Sequence, residues 1–225
     1  MRQLALILAL FCAALPAPAS AQAALTQEAS SQTRPLPRID TVPRARWDFR
    51  REGRLWTRAT LSALAGHGQP LIETVPTDIA DWCPAYPENS PKQRAAFWNG
   101  LLSALVKHES TFRPEAVGGG GKWYGLTQIL PATAHGYGCR ARSGEALKDG
   151  AANLSCAVRI LAVTVPRDGV VALKDGRLAG VAADWGPMTK RAKRADIAAY
   201  TKRQKYCRLL SSVPPLPRPD TVVLD

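Results

Sequence analysis

Four cysteines in an exported chain limit this sequence more than any other feature, because they dictate which distant segments must lie side by side. Export is read from the start. Met1-Arg2-Gln3 is short and basic, residues 4–15 are an almost unbroken apolar run, and Ala19-Ser20-Ala21 has the small-x-small pattern of a signal-peptidase site. The run falls short of the ~20 residues that a membrane-spanning helix needs, and no second one follows. Cys12 is preceded by Phe11, where a lipoprotein site carries Gly or Ala. Residues 1–21 are therefore expected to be a removed signal peptide, leaving a soluble protein in the periplasm or outside the cell, with no stable membrane anchor.

Cys83, Cys139, Cys156 and Cys207 remain. In an oxidising compartment four cysteines read as two disulfides with three possible connectivities. The preferred one joins Cys139 to Cys156, close in sequence, and Cys83 to Cys207, across the two ends of the domain. Each would stabilise by roughly 3–5 kcal/mol, the longer loop more. Zinc is the rival reading, but the spacings are wide and there is no C-x-x-C pair. His67, His108 and His135 also lack metal-ligand spacing, so neither a metal nor a cofactor is expected.

The formal net charge is +12, and Arg2 is the only charged residue in the signal, so the mature chain stays strongly basic. Basic chains meet polyanions. For an exported protein these are cell wall or membrane surface rather than nucleic acid.

Residues 22–44 are polar and proline-punctuated, and read as a disordered leader. Residues 211–225 open with Ser211-Ser212-Val213-Pro214-Pro215-Leu216-Pro217 and read as a Pro-rich tail. Between them, residues 45–210 suit one mainly α domain. The clearest helix is expected over 91–108, with Ser90 as N-cap, Pro91 in the first turn and Gln93 completing a capping box. Trp98, Leu101, Leu102, Leu105 and Val106 recur at helical spacing. Further helices are expected over 56–65, 151–163, 178–185 (stopped by Gly186-Pro187) and 189–206, the last densely basic.

Glu109 stands at the end of that apolar series, four residues after Leu105 and three after Val106. A carboxylate there either faces a cleft, where desolvation raises its pKa towards that of a general acid, or lies past the helix end and reaches solvent or Arg113. Helical geometry leaves both open.

The surrounding residues narrow the choice. His108-Glu109-Ser110-Thr111-Phe112-Arg113-Pro114-Glu115-Ala116, followed after a glycine-rich turn by Tyr124-Gly125-Leu126-Thr127-Gln128-Ile129-Leu130-Pro131-Ala132-Thr133-Ala134, resembles the soluble (SLT-type) lytic transglycosylase domain. That family carries Glu-Ser-x-Phe-x-Pro-x-Ala and Gly-Leu-Met-Gln-Ile-x-Pro-x-Thr-Ala. The first motif matches at every fixed position; the second differs only at Thr127. Asn153-Leu154, opening a helix through Ile160-Leu161, is similar to a third element, so that the resemblance spans roughly residues 92–187.

The resemblance implies a lysozyme-like helical fold with a glycan-binding groove, acting as a monomer on peptidoglycan strands. Glu109 matches the catalytic acid/base, which protonates the bond between N-acetylmuramic acid and N-acetylglucosamine and leaves a 1,6-anhydro end. Ser110, Tyr124 and Gln128 are the implied substrate-binding residues. Ser110 also reads as a backbone cap, Gln128 as an amide holding the turn, and Tyr124 and Trp123 as either sugar-stacking or core side chains. Substrate assistance explains how one carboxylate suffices where glycosidases usually need two.

Two departures stand out. A serine that helps hold the sugar in the family is Gly118 here, in a Gly118–Gly121 run expected to be mobile and to order on substrate. This run is no phosphate loop, because Lys122 is followed by Trp123. The family's Ala-Tyr-Asn-Ala-Gly segment corresponds to Ala182-Ala183-Asp184-Trp185-Gly186, so its glutamate-contacting tyrosine is missing, with Trp185 or Asp184 left to take its place. Two alternatives follow. One is a lysozyme-like hydrolase using Asp184 as second carboxylate; the other is a catalytically silent basic cell-wall-binding protein.

Overall fold

Helices dominate the computed structural model, which describes residues 42–209. The signal peptide, most of the leader 22–44 and the tail 211–225 lie outside the described residues. In chain order the elements are α1 (Gly53–Ala65), α2 (Gln69–Glu73), α3 (Pro91–Glu109), a hairpin of β1 (Val117–Gly118) and β2 (Trp123–Tyr124), and α4 (Pro131–Gly136). Then come α5 (Gly150–Asp168), a second hairpin of β3 (Leu173–Lys174) and β4 (Arg177–Leu178), α6 (Val181–Asp184), α7 (Gly186–Thr189) and α8 (Arg191–Lys202). Both two-stranded sheets are antiparallel.

The centre of the fold is α3. The capping box forms as its sequence requires: the Gln93 amide N–H donates to Ser90 Oγ at 3.4 Å, and the Ser90 N–H to Gln93 Oε1 at 2.9 Å. Beyond the first turn every residue from Ala95 to Val106 is buried. The expected one-sided apolar stripe is thus part of a helix enclosed on all sides, its polar Asn99 and Ser103 included. Helices α1 and α2 pack on α5, α1 also on α3, and α8 lies along α3. At the early end of α3, Trp98 Nε1 donates to Tyr86 Oη at 2.9 Å, with Phe97 stacked edge-on against Tyr86.

The cysteines pair as expected, Cys83 with Cys207 and Cys139 with Cys156, closing loops of 124 and 17 residues. The first ties the segment before α3 to the turn after α8, and Thr201 Oγ1 adds a 2.7 Å bond to the Trp82 carbonyl there. Two disulfides mark a protein of an oxidising compartment. Among the described residues no helix is long and apolar enough to cross a membrane.

Two expected helices differ. Instead of one helix over 178–185, Leu178 lies in β4, and two short helices are separated by an extended Trp185. The cause is local: Asp175 and Gly176 both adopt positive φ, the Asp-Gly hairpin turn. Gly180 then permits a close pass, since a Cβ there would lie 2.2 Å from the Val170 carbonyl oxygen. The basic helix is Arg191–Lys202 rather than 189–206, ending where the chain turns towards the Cys207 disulfide.

Loop length ranks the disulfides. Replacing Cys83 and Cys207 by serine is expected to lower the unfolding free energy by about 1–2 kcal/mol more than replacing Cys139 and Cys156, measured by urea denaturation of the two double variants.

Candidate active site

Glu109 is the last residue of α3, half-buried, and no described residue hydrogen-bonds or ion-pairs with its carboxylate. Burial dominates its titration and pushes the carboxyl from 4.5 up to about 7, against a smaller lowering by Lys193 on α8. Arg113, a possible ion-pair partner, turns back instead, its Nε donating to the Ser110 carbonyl at 3.3 Å.

The helix end that carries Glu109 is fixed from behind. Asp196 on α8 accepts from Arg46 Nη1 at 2.7 Å and Nη2 at 3.1 Å, bonds His108 Nε2 at 2.7 Å, and meets Lys107 Nζ at 3.4 Å. Arg46 above all, with His108 and Lys107, holds the Asp196 carboxyl well below the usual carboxylate range. Three distant parts of the chain meet in this cluster. Lys193 precedes Asp196 by one helical turn, and so stands on the same side of α8.

Ser110 follows the helix as its C-cap: its N–H donates to the Val106 carbonyl at 3.1 Å and its buried Oγ to the same oxygen at 3.5 Å. Thr111 and Phe112 then take positive φ. This is an uncommon backbone for such residues and one found at functional sites. Phe112 is buried edge-on against Phe49 at 5.1 Å.

The second motif is held to the first through the backbone. Gln128, also at positive φ, donates through Nε2 to the carbonyls of Ala116 (3.1 Å) and Gly125 (2.9 Å). Its Oε1 lies where a Cβ on Gly118 would stand, 2.3 Å from that position. Tyr124 is half-buried, and its hydroxyl donates to the Gly121 carbonyl at 2.7 Å. The glycine run forms a turn: Gly121 and Lys122 N–H groups donate to the Gly118 carbonyl at 3.1 and 3.0 Å. Positive φ at Gly119, Gly120 and Gly121 is a conformation that glycine adopts without steric cost.

Asn153 on α5 is the hub beneath. Its Oδ1 accepts from Thr127 N (2.9 Å) and Thr127 Oγ1 (2.6 Å), while Nδ2 donates to the carbonyls of Tyr124 and Leu147, both at 3.0 Å. Thr127, the departure from the family motif, therefore adds a hydrogen bond that methionine could not. Trp185 is buried and donates Nε1 to the Thr127 carbonyl at 3.0 Å, so its N–H braces the second motif and is not offered to Glu109. Asp184 is exposed, and the charges acting on it are Arg167 and Asp168.

The Glu109 carboxyl is thus half-buried and without a partner among the described residues, in the first of two motifs that match one family. The Transglycosylase SLT domain family matches residues 87–175, and the chain belongs to this family. Among solved structures it is similar to a glutamate-to-glutamine mutant of Bd0314 DslA, with 31% identity and a TM-score of 0.67, covering 74% of this chain and 98% of that one. It is likewise similar to Bd0314 DslA wild-type form 2, at 31% identity and a TM-score of 0.66 over the same shares. A search of curated proteins finds no match.

Sequence reasoning missed the Asp196 cluster, whose members lie too far apart in the chain to form a motif. It also missed Lys193, noted only as part of a basic helix.

A carboxyl that holds its proton more tightly folded than unfolded stabilises the fold at low pH, and that stability is lost as pH rises from about 4.5 towards 7. Glu109→Gln is therefore expected to melt close to the native protein at pH 5 and roughly 5–10 °C above it at pH 8, by calorimetry.

Proposed function

We propose that the protein is a peptidoglycan lytic transglycosylase whose single acid/base is Glu109. What carries the reading is one observation: the Glu109 carboxyl stands half-buried at the end of α3, inside the first matched motif and without a partner among the described residues, and burial pushes its pKa up to about 7. A general acid works best with its pKa near the working pH. Glu109 is then protonated in a useful fraction of molecules, yet deprotonates readily enough to serve as base afterwards.

In the first step Glu109 donates its proton to the glycosidic oxygen between N-acetylmuramic acid and N-acetylglucosamine, and the bond to the muramic anomeric carbon breaks. In the second the Glu109 carboxylate takes the proton of the muramic C6 hydroxyl, whose oxygen bonds to that anomeric carbon. The product ends in a 1,6-anhydro ring, no water is consumed, and Glu109 regains its proton. A nucleophile supplied by the substrate makes a second carboxylate unnecessary. The surroundings of Asp184 support this over hydrolysis, because its charged neighbours are Arg167 and Asp168 while the charge acting on Glu109 is that of Lys193.

Ser110 is assigned the role of setting the Glu109 rotamer from the turn, and Tyr124 and Gln128 that of forming the groove wall next to the sugar. The basic surface of α8, with Arg191, Lys193 and Lys202 exposed and Lys190 just before it, suits the anionic stem peptides of a wall outside the cytoplasm.

The test is mass spectrometry of muropeptides released from purified peptidoglycan by residues 22–225. Anhydro-muropeptides are expected from the native protein, with Glu109→Gln slower by roughly 10²–10⁴-fold. Reducing-end products would make it a hydrolase. Wall binding without products would make it a silent binder.

A further inference from the structure

All six tryptophans of the chain fall within the described residues. Five are no more than 4% exposed and serve the core; Trp123 is 46% exposed. An exposed indole on a short strand contributes little to folding, so its setting matters. The six-membered part of the ring lies flat against the chain at Gly119, where an added Cβ would fall 2.2 Å from Cε3 and 2.3 Å from Cζ3. Gly120 and Gly121 have nothing within 4 Å of their Cβ positions. One face of the indole thus rests on glycine backbone, and three of the four residues of the turn beside it, Gly119, Gly120 and Gly121, carry no side chain. The four consecutive glycines, which no part of the proposed chemistry requires, find a use here: any side chain at Gly119 would displace the ring.

The hairpin that presents Trp123 is the connection between the two motifs. β1 leaves Ala116, whose carbonyl accepts from Gly125 N at 2.9 Å and from Gln128 Nε2 at 3.1 Å, and Gln128 Oε1 lies beside Gly118. The ring is therefore mounted on the frame that joins the Glu109 motif to the Gln128 motif. It is braced by the Tyr124 hydroxyl bond to Gly121.

We propose that the Trp123 indole, seated on Gly119, is a sugar-binding platform that stacks on the apolar C–H face of one pyranose ring of the glycan strand. An aromatic face offers a large area of contact to such C–H groups and loses little rotamer freedom when it already lies against the backbone. The platform rests on the glycan-cleaving reading for its substrate class. Its role is to position the strand, with no part in proton transfer.

The test uses the protein with 15N-labelled tryptophan indoles, titrated with the uncharged tetramer of N-acetylglucosamine, and soluble glycan strands for kinetics. The Trp123 N–H signal, assigned by its loss in Trp123→Ala, is expected to shift more than those of the five buried indoles. Trp123→Ala is expected to bind the tetramer about tenfold more weakly with an unchanged melting temperature, and to raise KM with kcat little altered. Trp123→Phe should recover most of the loss. A Trp123 signal that stays still while the tetramer binds, or a Trp123→Ala variant that binds as the native protein does, would overturn the platform. These outcomes separate it from the catalytic proposal. Binding lost in Trp123→Ala by a protein that cleaves nothing leaves the platform standing alone, and cleavage with native KM in Trp123→Ala removes the platform alone.

Discussion

The structure depends on enclosing α3. From Ala95 to Val106 this helix has no solvent face, so its position along its own axis is set by packing on every side. Its first turn is closed by the Ser90–Gln93 capping box and its last by Asp196, which binds Arg46, Lys107 and His108 at once. A helix locked at both ends and along its length delivers its final residue to one place. That residue is Glu109, which lies just past the buried stretch of the helix and has no carboxyl partner among the described residues. Burial enough to raise its pKa and access enough to act on a ligand both follow from standing at the boundary of the core.

Around this fixed point the site is assembled from backbone more than from side chains. Gln128 spends its amide N–H groups on carbonyls, Asn153 spends its side chain on Thr127, Tyr124 and Leu147, and Trp185 donates to Thr127. The second motif is therefore a braced turn. Thr127, where the family motif carries methionine, donates from its Oγ1 to Asn153. With Trp185 committed to the same turn, the charge that tunes Glu109 comes from Lys193 of α8, a helix held in place by the Asp196 cluster.

Much of this was legible in the sequence where the determining physics is local. Ser90, Pro91 and Gln93 announce the start of α3 because caps act within one turn. The cysteine pairing was only a preference among three connectivities, because the 124-residue separation of Cys83 and Cys207 is closed by tertiary packing. Helix α5 was legible at its start, but it extends past residue 163 to Asp168 with Pro166 inside it, where proline ordinarily argues for an earlier stop. The β3–β4 turn carried a plain signal in Asp175-Gly176, masked by the apolar spacing of Leu178, Val181 and Ala182. The Asp196 cluster was not legible at all. Its partners, residues 46, 107, 108 and 196, are brought together only when α8 packs on α3 and the segment before α1 folds against both, and nothing in the neighbourhood of Asp196 marks it. Periodicity also understated the burial of α3, since Gly100, Ser103 and Ala104 look like a small polar face until α8 and Tyr206 cover it.

The central claim concerns one proton. Direct titration of the Glu109 side-chain carboxyl by 13C NMR, in the native protein and in Lys193→Gln, tests it without reference to any substrate. A native midpoint near 7 is expected, because burial outweighs the cation beside it, and a higher midpoint in the variant, because that cation is gone. A native midpoint at the ordinary value of 4.5 would mean a solvated carboxylate, and Glu109 could not then be the acid of this site.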